Sequence, residues 1–205
     1  MIKVYMFSAI ALFTLASCSP GEQRLSSEVQ ELTVLDDQVN DYRGNQLITL
    51  SQLPERVRIT SENEFGAHER FVQAEMSPNG EYIAVTTAGA AHSAAWVYQT
   101  EGGEVKPAAF QYGGNLTLGP WHPQSSYLVV THQPPSGGTG LSVIHIAGLD
   151  YRVEDANQVL QVPQHDHLSA DQHDYSALDW EDGELRFTMA GERWRYHPRE
   201  GVRED

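Results

Sequence analysis

Cysteine is nearly absent from this chain. Cys18 stands alone, so no internal disulfide can form, and whatever folds must be held by an apolar core. Lysine is almost as scarce, with only Lys3 and Lys106, and 13 basic residues face 28 acidic ones for a formal charge of −15. Phosphate backbones are bound by clustered lysine and arginine, so nucleic acid is excluded as a natural ligand. Apolar runs are short, the longest being residues 4–14, well under the roughly 20 residues a membrane-spanning helix needs. The sequence also lacks a Gly-x-Ser-x-Gly elbow, a His-Glu-x-x-His pair, a Walker loop, a Cys-x-x-Cys pair and a dinucleotide fingerprint. No catalytic residue is assigned, and a hydrolase has only unpaired carboxylates in its favour.

What is present begins at the N-terminus. Lys3, the apolar stretch 4–14 and the small residues Ala16 and Ser17 have the order of a secretory signal. Leu15-Ala16-Ser17-Cys18 resembles the lipobox of bacterial lipoproteins. The resemblance implies cleavage before Cys18, lipid attachment to Cys18 and a firm anchor, since several acyl chains hold where one holds only reversibly. Ser19 follows where, in the enterobacterial version of the family, an aspartate retains the protein at the inner membrane. The expected address is therefore the bacterial envelope, lipid-anchored at the outer membrane and facing the periplasm. An uncleaved N-terminal anchor is the competing account. Removing residues 1–17 takes away Lys3 and no acid, moving the charge to −16.

Residues 18–30, polar and carrying Pro20 and Gly21, read as a lipidated tether. Residues 31–198 suit a single β domain, and residues 199–205 read as a charged, solvated tail. Within the domain the strand signals repeat. Ala74 to Thr86 contains Ser77-Pro78-Asn79-Gly80 between two apolar runs, Gly119 to Thr131 contains His122-Pro123-Gln124-Ser125, and Ala177 to Thr188 contains Glu181-Asp182-Gly183. Proline presets φ for a turn and Asn-Gly or Asp-Gly tolerates positive φ, so each segment predicts a hairpin. Further strands follow at Ala95 to Gln99, Leu141 to Ile146 and Arg193 to Tyr196.

This order of elements resembles the WD40-like repeat of TolB-type β-propellers over residues 70–197. The implied fold is all-β, a propeller-like array of about three four-stranded antiparallel units. Propellers usually close with four or more blades, so the array is expected to be incomplete. Strands at residues 46–50 and 56–60 are candidates to extend it, and self-association is a second route. A β-sandwich is the alternative.

The histidines are the residues with most chemical content. His165, His167 and His173 share a loop with Asp166, Asp171 and Asp174, and imidazole with carboxylate suits a divalent transition metal; a solvated polar loop is the plainer account, and otherwise no cofactor is expected. If the chain forms blades, His68, His92 and His132 join that loop on one face, where histidine would also titrate near neutral pH. The aromatics Trp96, Trp121, Trp180 and Trp194 fall in strands at positions that suit core packing, with sugar stacking as the alternative. The leading functional expectation is a non-enzymatic envelope lipoprotein whose loops bind a protein or cell-wall partner. A metal-binding or pH-responsive envelope protein comes second, and a hydrolase third.

Overall fold

The computed structural model describes residues 31–58, 64–65, 68–150 and 156–205. The signal and tether expected at 1–30, including Cys18, lie outside them. Three sheets of four antiparallel strands follow one another along the chain, each a simple meander. The first blade is β6 (His68–Met76), β7 (Tyr82–Gly89), β8 (His92–Gln99) and β9 (Val105–Tyr112). The second is β10 (Asn115–Trp121), β11 (Tyr127–Gln133), β12 (Gly140–His145) and β13 (Asn157–Val159). The third is β14 (Tyr175–Glu181), β15 (Glu184–Met189), β16 (Glu192–His197) and β17 (Gly201–Glu204). A three-stranded sheet precedes them, β1 (Thr33–Val34), β2 (Gln38–Asn40) and β3 (Gln46–Thr49), followed by the small hairpin of β4 (Val57–Arg58) and β5 (Glu64–Phe65).

Turn chemistry sets the hairpins. In the first blade Ser77 N donates to Tyr82 O at 2.8 Å and Gly80 N to Ser77 O at 2.9 Å, with Gly80 at φ +73. The Ser77 hydroxyl accepts from Tyr82 N at 3.0 Å. The second blade repeats the frame, with His122 N donating to Tyr127 O at 2.9 Å and Ser125 N to His122 O at 2.7 Å. His122 stands in the place of Ser77 but makes a different bond, its Nδ1 accepting from Gln124 N at 3.2 Å. The two turns touch, since Asn79 N donates to Ser125 Oγ at 3.1 Å. The third hairpin is different: Asp182 and Gly183 both have positive φ, +52 and +81, the signature of a two-residue type I′ turn. That is why the third repeat carries no proline.

The sheets stack face to face in chain order. Val39 and Ile48 of the N-terminal sheet pack with Phe71, Ile83, Val85 and Trp96 of the first blade. The other face of that blade, through Ala84, Ala95 and Val97, meets Leu118, Leu128 and Val130 of the second. The second blade's remaining face, through Val129, Leu141 and Val143, meets Leu185, Phe187 and Trp194 of the third. A strand inside such a stack has two buried faces, and β7 accordingly buries five consecutive residues, Ile83 to Thr87. A strand at the end has one. In β15 Leu185, Phe187 and Met189 are buried while Glu184, Arg186 and Thr188 between them are only partly covered.

The outer face of the third blade is closed by charge. Arg186 pairs with Glu181, Arg195 with Asp205 and Glu184, and Arg203 with Glu184 and Glu200. Partly exposed pairs of this kind add little stability each, and they leave this face polar where the faces between blades are apolar. The array is thus all-β and propeller-like, with three four-stranded units supplemented by the N-terminal sheet and, among the described residues, no closed barrel.

Two expectations change. The charged tail at 199–205 is not a solvated end, because residues 201–204 form β17 and pair with β16 from Trp194 to His197; Val202 packs on the core while its charged neighbours join the ion pairs. The strand at 46–50 turns into a 3-10 helix at Leu50; of the strand expected at 56–60, Val57 and Arg58 pair with β5, and residues 59–60 lie outside the described residues.

The division between faces has a measurable consequence. Phe187→Ala is expected to cost about 3–5 kcal/mol of unfolding free energy, as for a buried aromatic, and Arg203→Ala less than about 1 kcal/mol. Urea titration of the two variants compares them, and equal losses would contradict a one-sided third blade.

Candidate functional site: the loop-bearing end

Because every blade is an up-and-down meander, alternate connections emerge at one end. The turns β7–β8, β9–β10, β11–β12 and β15–β16 share that end with the long connection from β13 to β14 and with the start of β6. These loops brace one another. Gly113 N donates to Ala91 O at 2.8 Å, and Ser93 Oγ to Gly114 O at 2.9 Å. The β9–β10 turn is tight enough to demand glycine: Gly114 has φ +60, and a Cβ there would stand 1.8 Å from the carbonyl oxygen of Gln133. Thr139 N donates to His173 O at 2.6 Å, and Tyr175 N to Thr139 Oγ1 at 2.6 Å. The result is a continuous surface spanning the blades.

His68, His92, His132, His165, His167 and His173 all lie on this end, but their surroundings differ. His68 makes an edge contact with the Trp96 ring at 5.5 Å. Burial, then the neighbouring His92, pushes its pKa down, partly offset by backbone hydrogen bonds to Leu50 and Leu53. His132 is turned inward: Nε2 lies 2.8 Å from Ser142 Oγ and Nδ1 3.3 Å from Gln111 Oε1, and burial lowers its pKa to about 4. His132 is therefore a neutral bracket between two blades rather than an outward-facing group. Ser142 and Gln111, which hold it, carry no sequence signal that would have identified them.

The 165–173 loop is divided as well. His165 Nε2 lies 2.9 Å from Glu192 Oε2 at the start of β16, and its ring sits edge-on to Trp194 at 5.6 Å. His167 is exposed, with its ring 6.1 Å from that of His165. His173 is turned toward Tyr175, 6.5 Å away. Among the described residues no three His, Cys, Asp or Glu side chains converge as a set able to hold a metal ion. The three histidines expected as metal ligands are thus not brought together for that purpose; His165 is committed to a carboxylate on another strand. Glu192, 27 residues away, was outside any spacing argument.

The aromatics are core. Trp96 and Trp194 are each 1% exposed, and Trp121 and Trp180 are 8% and 7%, so these indoles offer no stacking platform for a sugar. Trp180 Nε1 donates to Pro120 O at 3.2 Å, tying the third blade to the second.

No protein-family model matches the chain, and no curated protein matches it. Among solved structures, a chain from structural and mechanistic work on two prolyl endopeptidases is similar at 14% identity and a TM-score of 0.48, over 82% of this chain and 26% of that one. This chain spans about a quarter of that protein's length.

The His132 bracket fixes a pH dependence. Its folded pKa of about 4 lies below the ordinary histidine value of 6.5, so the unfolded chain takes up the proton first as pH falls. Stability supplied by the neutral ring is complete above about pH 6.5 and is lost progressively toward pH 4, by on the order of 2–3 kcal/mol. Urea unfolding at pH 7.5 and pH 4.5 measures the loss. His132→Gln should reduce the difference between the two pH values; an unchanged difference would place the titrating group elsewhere.

Proposed function

We propose that this protein is a non-enzymatic, lipid-anchored component of a bacterial envelope, held through Cys18 at the outer membrane on its periplasmic side, whose loop-bearing end binds a protein or cell-wall partner. The observation that carries the binding part is the bracing of loops from all three blades into one surface. Sheet faces between neighbouring blades are consumed by packing, and the outer face of the third is occupied by ion pairs. That leaves the ends of the array, of which one carries the long connections and His68, His92, His165 and His167. Loops positioned by a rigid scaffold are the usual seat of recognition. Attachment through Cys18 rests on Leu15 to Cys18, and a tether of about a dozen residues, each reaching at most about 3.5 Å, keeps the domain close to the membrane.

Two measurements test the parts separately. Growth of a Gram-negative host expressing the chain with labelled palmitate should label the protein and place it with outer-membrane vesicles; Cys18→Ser should abolish the label and release the protein, and persistent labelling would refute the attachment site. A photo-crosslinking residue at His167 should give a discrete adduct in whole cells, while one at Asp182, on the opposite end, should not. Equal adducts at both would dissociate binding from the loop-bearing end.

A further inference from the structure

A cleft of about 930 Å3 opens between the N-terminal sheet, the segment that follows β3 and the start of β6. This is the size of a small-ligand site. Its framework is fixed locally: Leu50 N donates to Asp37 O at 2.9 Å and Leu53 N to Leu50 O at 3.1 Å. Thr49 N donates to Gln52 Oε1 at 2.7 Å, closing the 3-10 turn, and His68 pins that turn to β6.

Part of the lining is polar and unspent. Asp37, Gln38, Gln46 and Glu55 line the cleft, and none of their side chains has a hydrogen bond or ion pair with another described residue. The hydroxyls of Thr49 and Ser51 also line the cleft, but they are bonded to each other at 3.1 Å. Among the described lining residues Leu50 and Leu53 are the apolar ones, Leu53 being 3% exposed, and polar and apolar surface line the cleft in similar measure. Carboxylates accept from ligand hydroxyls, and glutamine amides match an amide both as donor and as acceptor.

We propose that this cleft is a carbohydrate site that takes an N-acetylated oligosaccharide. The ligand presents hydroxyls to Asp37 and Glu55 and acetamido groups to Gln38 and Gln46. The inference rests on the envelope reading only in taking its ligand from the cell wall, and it places the sugar contacts on amides and carboxylates rather than on the indoles, which are buried.

Isothermal titration calorimetry of the full-length chain in mild detergent tests it, with N,N′,N″-triacetylchitotriose and, separately, spermidine as probes. The trisaccharide is expected to bind saturably at millimolar concentrations or below, and combined Gln38→Ala and Gln46→Ala substitution to weaken it at least tenfold without moving the thermal midpoint, because neither amide belongs to the core. No heat from the trisaccharide, binding indifferent to the paired substitution, or heat from spermidine alone would overturn the site. Palmitate labelling is independent of this result: a labelled chain that ignores the trisaccharide loses the carbohydrate site and keeps its anchor.

Discussion

Every face of every sheet must be covered by something, and the chain meets that requirement in two chemically distinct ways. Strands in the interior of the stack are apolar on both sides, as β7 is from Ile83 to Thr87. Strands at its end alternate, as β15 and β16 do, with Phe187 and Trp194 turned inward and Arg186 and Arg195 outward. A closed ring has no end blades and needs no such alternation. The outer face of the third blade is accordingly charged rather than apolar. Its ion pairs matter less for the energy they add than for the apolar face they replace.

The same stacking determines what is left for recognition. Blade faces disappear into three clusters of buried residues, and an isolated patch of function on them would cost packing that the chain, without a disulfide, cannot replace. Recognition is displaced to the ends and to the flank where the N-terminal sheet gives way to irregular chain. Both candidate surfaces lie in those places. The loop-bearing end is stiffened by contacts between connections, such as Gly113 to Ala91 and Thr139 to His173, so it can hold a shape without secondary structure of its own.

Legibility in the sequence followed range. Ser77 to Gly80 and Asp182-Gly183 announce hairpins because a turn's chemistry is contained in adjacent residues, and the alternation of Leu185, Phe187 and Met189 announces a one-sided strand. The final strand was missed for a physical reason. Gly201 to Glu204 has too few apolar residues to show a period, and its place is fixed by Val202 on one side and by Glu184 and Glu200 pairing with Arg203 on the other. His122 was equally opaque: only the geometry of its turn shows the imidazole Nδ1 bonding Gln124 N and Ser126 Oγ within the turn.

The histidines show why placement and chemistry have to be argued separately. The meander of the blades carries six of them to one end, a consequence of topology that the order of strands already implied. What each can do there depends on partners far along the chain: Gln111 and Ser142 make His132 a neutral bracket, and Glu192 holds His165 against the third blade. A ring fixed by two hydrogen bonds in a buried site loses both its proton affinity and its freedom to turn toward a ligand. Residues that cluster by topology thus become a single site only where their side chains remain uncommitted, and at this end His167 meets that condition while His132 does not.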